Sequence, residues 1–271
     1  MPELPEVETI VRGLRAADNI VGKTIMNSHV LWQRSLAVPL AVEFQQLIAG
    51  QQILAVDRRG KFIVIKLTSQ SLLIHLRMSG DIFVESGETM RNQKHDRVIL
   101  DFDDGSRMAF NDTRKFGRVW LVDDPQSVFG KLGPEPLEES LTPGLFFEKL
   151  SRSKRQVKPL LLDQTFVAGL GNIYTDESLF IAGINPTTPA NLIPLDKAGS
   201  LLNAVREVLI EGIKRNGASI DWVYRGGDFQ NYFKVYQRDG DPCIRCGTTI
   251  ERITLGQRGT HYCPHCQPRL A

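Results

Sequence analysis

CIRCGTTIERITLGQRGTHYCPHC, residues 243–266, contains all 4 cysteines of a 271-residue chain. They fall as Cys243-x-x-Cys246 and Cys263-x-x-Cys266. Each pair sits on a tight turn that aims two sulfurs at one point. Four thiolates then close a tetrahedral shell around one structural Zn2+, with no open position for substrate. Two disulfides or a redox CxxC are the competing readings. A cytosolic chain with no other cysteine argues against disulfides. His261 and His265 are surplus to a full shell and read as surface or packing residues. A module of about 30 residues cannot bury a sufficient core, so the metal substitutes for one. Within it, Thr254 to Thr260 reads as a hairpin with Gln257, Arg258 and Gly259 at the tip. A rigid knuckle presenting one arginine suits a phosphate; an ordinary exposed arginine fits equally.

Outward from this module, the composition is that of a soluble globular protein: 42% apolar and 24% charged residues. Apolar runs such as Leu160-Leu161-Leu162 are far short of a membrane span. The N-terminus lacks the basic start and apolar middle of a secretory signal, which places the chain in the cytosol. Net charge is only +2, but it is segregated. Lys149, Arg152, Lys154, Arg155 and Lys158 form one basic stretch; Arg58, Arg59 and Lys61 form another, and Arg114, Lys115 and Arg118 a third. This fits a basic face that follows a phosphate backbone, although scattered solvated charge fits the composition at least as well.

Val7, Ile10, Val11 and Leu14 recur at helical spacing near the N-terminus. From about Ile25 to Val122 the pattern shortens into strands around residues 53–56, 62–65, 72–74, 98–100 and 119–121. Gly60, Asp104-Gly105 and Asn111-Asp112 punctuate them. The expected fold is an α+β multidomain chain: a β-sandwich with flanking helices over 1–131, a linker over 132–144, a helical domain over 145–232 and a zinc ribbon over 233–271. Thr142 with Pro143 is a helix start. Leu201, Leu202, Val205, Val208, Leu209 and Ile213 make the apolar stripe of another helix, which Gly217 can close.

The opening Met-Pro is chemically suggestive. Proline after the initiator permits its removal, which would leave Pro2 as a secondary amine. An α-amino group has a pKa near about 8, so a neutral, nucleophilic fraction exists at pH 7. Glu3 beside it could act as general acid and base. Many chains begin this way, and a glutamate there is commonly helix-capping chemistry.

Seven segments together resemble the formamidopyrimidine-DNA glycosylase family, in the family's order. They are PELPEVET (2–9), IHLRMSG (74–80), KHD (94–96), TRKFG (113–117), LGPEP (132–136), GLGNIY (169–174) and the two CxxC pairs. The resemblance implies a bifunctional repair enzyme on damaged double-stranded DNA. It would excise oxidised purines and cleave the abasic site by β,δ-elimination through a Schiff base on Pro2, as a monomer and without a catalytic metal. It implies that Glu3 assists sugar opening, Lys61 serves β-elimination and Arg258 serves δ-elimination. Met78, Arg114 and Phe116 match the trio that fills the space of a flipped nucleotide. His75, His95, Lys154, Lys158 and Asn172 match DNA-backbone contacts. Residues 158–172 look like the family's helix-two-turns-helix.

The segment 219–233 departs from the family. It is shorter and carries Trp222, Tyr224, Phe229 and Tyr232, which leaves the preference between 8-oxoguanine and formamidopyrimidines open. Two other readings remain: an endonuclease VIII-like enzyme for oxidised pyrimidines, and a non-catalytic zinc-ribbon DNA-binding protein. The PELPEVET start and an intact Pro2, Glu3, Lys61 and Arg258 argue against them.

Overall fold

A computed structural model describes residues 1–16, 19–87, 94–219 and 226–269. They divide into two units: Met1–Gly130 with Ser219 and Gly226, and Lys131–Ala218 continued from Gly227.

In the first unit, α1 (Leu4–Arg15) precedes β1 (Ile25–Val30), β2 (Leu36–Val38), α2 (Ala41–Ile48), β3 (Ile53–Arg59), β4 (Phe62–Leu67) and β5 (Ser71–His75). There follow β6 (Gly80–Glu85), β7 (Asp96–Phe102), β8 (Arg107–Asp112), β9 (Arg118–Val122) and α3 (Gln126–Phe129). One sheet has the order β1-β7-β8-β6, the other β2-β9-β5-β4-β3. Neighbours are antiparallel except β2 and β9. Period-2 alternation turns Ile63, Ile65 and Leu67 of β4 inward. They share one core with Leu100 and Phe110 of the other sheet and with Val7, Val11 and Leu14 of α1. The unit is therefore a sandwich with a helix packed onto it.

The five expected strands are present. β1, β2, β6, β8 and α2 are additional. β6 and β8 carry apolar runs of only three residues, Ile82–Val84 and Met108–Phe110, closed at one end by Glu85 and Arg107, which pair across the two strands at 2.8 Å. Asn111-Asp112 stands at a strand boundary, as expected: β8 ends at Asp112, whose carboxylate is buried and supplied with donors.

The second unit holds α4 (Pro143–Ser151), α5 (Val157–Leu161), α6 (Asn172–Ala182), α7 (Leu195–Lys214), β10 (Glu251–Leu255) and β11 (Arg258–Tyr262). The Thr142 side chain accepts from the Leu145 N–H at 3.3 Å, and Pro143 opens α4. All six residues of the expected α7 stripe are buried. Past its end, Asn216 and Gly217 take φ of 55° and 79°.

Residues 132–144 are anchored into this unit. The Arg206 guanidinium donates to the carbonyls of Pro136, Glu138 and Leu141 at 2.7, 3.2 and 2.8 Å. At Gly133 a Cβ would come within 2.6 Å of the Phe166 backbone, so only glycine fits.

The hairpin tip differs from expectation. Gly256 and Gln257 form the two-residue turn, at φ 52° and 61°, and Arg258 opens β11 opposite Leu255. A tight hairpin turn matches the strand twist with both central residues at positive φ. Phe180, Val235, Cys243, Ile250 and Cys263 form a small core under the hairpin. Among the described residues, no helix is long and apolar enough to cross a membrane.

Candidate functional site

In the first unit, the site is built on the start of α1 and the ends of the central strands. Pro2 and Glu3 are both buried. Glu3 is the N-cap of α1 and closes a capping box with Glu6; the Glu3 N–H donates to Glu6 Oε2 at 2.8 Å. The capping reading of Glu3 is thus realised, and it holds the carboxylate in place beside Pro2. Glu8, a turn further on, takes the Arg58 guanidinium at 3.0 Å. That bond fastens α1 to the β3–β4 hairpin. Gly60, at φ 57°, starts the hairpin's two-residue turn, and Lys61, its second residue, is itself buried.

β5 ends at His75, which is flanked in register by Phe62 of β4 and Arg118 of β9. The His75 ring meets Phe62 edge-on at 4.7 Å, and its Nδ1 accepts from the Arg77 N–H at 3.0 Å. Burial, reinforced by the charges of Arg77 and Lys61, lowers its pKa to about 3. The imidazole is neutral near pH 7, with its proton on Nε2.

The turns carrying Met78, Arg114 and Phe116 are tied together by Asp112. Its Oδ1 accepts from the Ser79 hydroxyl and from the Arg114 N–H, and its Oδ2 accepts from the Gly117 N–H at 2.7 Å. Ser79 Oγ also accepts from the Arg114 N–H at 3.1 Å. Phe116 is 50% exposed, large for an aromatic ring, and the Arg114 guanidinium lies 5.1 Å from its centre. Lys115, at φ 61°, puts its ammonium 3.9 Å over the Trp32 ring. His95 joins the group through its backbone: its carbonyl accepts from the Asp112 N–H at 2.9 Å. Asp112 is the organising residue that the sequence reading missed. The available signal was an Asx turn, an aspartate whose side chain takes the N–H two residues on.

In the second unit, α5, two turns and α6 form the helix-two-turns-helix. Asp163 Oδ1 accepts from Thr165 N–H and Oγ1 at 3.0 and 2.7 Å and holds the first turn. The Arg155 and Thr165 donors keep its pKa below the usual range. The Gln164 amide donates to the Leu162 and Leu170 carbonyls and accepts from the Gly169 N–H, which holds the second turn. Asn172 then opens α6, its Nδ2 donating to the Gly259 carbonyl at 3.0 Å. Arg258, next to Gly259, is exposed, as is Lys154.

Lys158 is a correction. Its side chain is fully buried and ion-paired with Asp176 at 2.6 Å, so it does not reach solvent as a phosphate contact would require. The basic stretch 149–158 is likewise broken up: Arg155 pairs with Asp163 and Arg152 with Glu148. Of the aromatic residues in 219–233, Phe229 is buried and stacks on Tyr174 at 5.2 Å, and Tyr232 lies under the Arg215 guanidinium. Trp222 and Tyr224 lie outside the described residues.

The sulfurs of Cys243, Cys246, Cys263 and Cys266 lie within 4.8 Å of one another. The Cys243–Cys266 and Cys246–Cys263 pairs are 3.8 and 3.6 Å apart. A tetrahedron with Zn–S bonds of about 2.3 Å has edges of about 3.8 Å, so the donor set fits zinc. Disulfide-bonded sulfurs would be about 2.05 Å apart. Hydrogen bonds from Thr248 pull Cys246 down to about 6, while burial and the neighbouring thiols push Cys266 up to about 12. A cation is what allows all four to be thiolates at once.

A sandwich with a buried Pro-Glu start, a helix-two-turns-helix and a four-cysteine hairpin together define the class, and the comparisons with known proteins agree. Residues 1–119 match the formamidopyrimidine-DNA glycosylase N-terminal domain, 132–223 its H2TH domain, and 240–269 the zinc finger found in FPG and IleRS. The formamidopyrimidine-DNA glycosylase of Protochlamydia amoebophila is 42% identical over 99% of this chain and 100% of its own length. That of Chloroflexus aggregans is 44% identical over 98% of each. The structure of MutM in complex with carbocyclic 8-oxo-G containing DNA superposes with a TM-score of 0.91 at 37% identity, covering 99% of this chain and 100% of that one. Lactococcus lactis Fpg with abasic-site DNA gives 0.90 at 36%, covering 98% and 100%. The chain belongs to the formamidopyrimidine-DNA glycosylase family.

Three outcomes are expected. Asp112→Ala takes the acceptor from the Ser79 hydroxyl and the Gly117 N–H, leaves the Arg114 N–H with Ser79 Oγ alone, and lowers the unfolding free energy by about 2–3 kcal/mol in urea titrations; a loss below about 0.5 kcal/mol contradicts the tie.

His75 binds its proton more weakly folded than unfolded. The unfolded chain therefore holds the extra proton between about pH 3 and 6.5. Its contribution to stability is full above that window and is lost as pH falls through it. His75→Gln flattens the pH dependence of unfolding there by up to about one proton.

Chelating the zinc exposes four reactive thiols and removes hydrogen-exchange protection from β10 and β11; a hairpin still protected after metal removal refutes the structural role.

Proposed function

We propose that this chain is a base-excision repair glycosylase and abasic-site lyase that acts on oxidised purines, 8-oxoguanine and formamidopyrimidines, in duplex DNA. The observation that carries the reading is the start of α1. Pro2 and Glu3 are buried side by side at a helix N-terminus, on a chain whose full length matches the family. With Met1 attached the Pro2 nitrogen is an amide; its removal frees a secondary amine. That amine attacks C1′ of the damaged nucleotide, forming the C–N bond as the bond to the base breaks. Glu3, held by the capping box, protonates the opening sugar and serves later proton transfers.

The resulting cationic iminium acidifies the C2′ proton, whose loss expels the 3′ phosphate. Loss of the C4′ proton then expels the 5′ phosphate. Lys61, on its glycine-started turn, is assigned to the first elimination and Arg258 to the second. The neutral His75 donates from Nε2 to a phosphate, and Asn172, Lys154 and His95 contact the backbone. Met78, Arg114 and Phe116, on turns that Asp112 ties together, fill the vacated stack, which offsets lost stacking of a few kcal/mol. The zinc holds the hairpin that carries Arg258 and takes no part in bond breaking. Residues 1–131 supply the nucleophile, 145–232 the phosphate contacts and 233–271 the arginine, with 132–144 joining them. The protein works in the cytoplasm as a single copy.

Borohydride reduction of the processed protein with an 8-oxoguanine:cytosine duplex yields a covalent adduct, and peptide mapping places the sugar remnant on Pro2. The same chain retaining Met1 yields none. A remnant on a lysine overturns the mechanism.

A further inference from the structure

We propose that Lys158 and Asp176 are positioning residues for Arg258 and set the split between β- and δ-elimination; this rests on the role given to Arg258 above. Both side chains are fully buried, one on α5 and the other on α6, and pair at 2.6 Å. Neither faces solvent, so neither touches DNA. What they touch is β11. The Lys158 ammonium donates to the Gly259 carbonyl at 2.9 Å, the same oxygen that accepts from Asn172 Nδ2 at 3.0 Å. Asp176 Oδ2 accepts from the His261 N–H at 2.9 Å and lies 3.3 Å from that ring's Nδ1. The far ring nitrogen of His261 lies 3.4 Å from Asp239, and Tyr236 packs edge-on against the ring at 5.0 Å.

Two backbone groups just beyond Arg258 are therefore held by one buried charge pair. On its other side, Arg258 is preceded by the exposed Gly256–Gln257 turn and pairs in register with Leu255 of β10. The exposed guanidinium is thus carried on a strand whose depth and register are fixed from one side. A buried ion pair is a weak source of net stability and is best attested as a device that specifies register. Moving a catalytic group by about 1 Å costs on the order of 100-fold in rate. A loosened β11 therefore slows the step that needs Arg258 and spares the steps at Pro2.

The test uses full-length, processed, zinc-loaded protein on a duplex with a preformed abasic site, so that base excision plays no part. The double variant Lys158→Met/Asp176→Leu replaces the charge pair with apolar side chains that fill its space. Its ratio of δ- to β-elimination product falls at least about fivefold, while borohydride trapping stays within about twofold and zinc remains at one per chain. Arg258→Ala shows the same shift in products. A ratio unchanged in the double variant while Arg258→Ala shifts it overturns the positioning role alone. A ratio unchanged in Arg258→Ala overturns the assignment of Arg258, and this inference with it. Should the apolar pair fail to load zinc, Lys158→Gln/Asp176→Asn is read by the same criterion.

Discussion

A buried carboxylate must have its oxygens filled with donors, and in both units this constraint fixes the functional loops. Asp112 gathers the Ser79 hydroxyl and the N–H groups of Arg114 and Gly117. Glu177 accepts from three successive N–H groups, Lys234, Val235 and Tyr236, at 2.8–3.1 Å. Its burial nonetheless pushes its pKa up, because desolvation outweighs those donors. Asp176 takes Lys158 on one oxygen and His261 on the other. Loops of poor intrinsic preference are held in this way because leaving any of these groups unpaired would cost a large share of a domain's net stability.

The arrangement separates reach from anchorage. The side chains proposed to meet DNA, such as Phe116, Arg114, Lys154 and Arg258, are exposed and sit on loops, turns or at a strand start. The groups that aim them are buried behind. Zinc does for the hairpin what the carboxylates do for the loops: a segment with a five-residue core cluster has its ends closed at one point. The start of α1, where the chemistry is proposed, is organised by the same means. Glu3 is held by Glu6, and α1 is fastened to the turn of Lys61 by Glu8 and Arg58.

Much of this was legible. The strands around Ile63 and Leu73 show apolar runs that only burial explains, and the α7 stripe is strictly helical in period. The cysteine spacing speaks for itself, and seven short segments in order carry the family. Less was legible where the apolar run is short and buried charge bounds it. β6 and β8 offer three apolar residues each, and Glu85 and Arg107 at their ends look like surface residues until they face each other. Residues 132–144 read as a spacer because nothing local shows that Arg206, far along the chain, satisfies their carbonyls.

Local chemistry determined what the sequence could say by itself: period, turn residues, metal-ligand spacing, a glutamate placed to cap the first helix. Those depend on neighbours a few positions away. Tertiary structure alone decided which charges face water. Lys158 reads as one of five basic residues, yet it is the buried partner of Asp176, and Asp112, legible as the end of a strand, is also the buried carboxylate that anchors two turns. The physical reason is that a charge's energy depends on what surrounds it in space, and those surroundings come from residues distant in sequence.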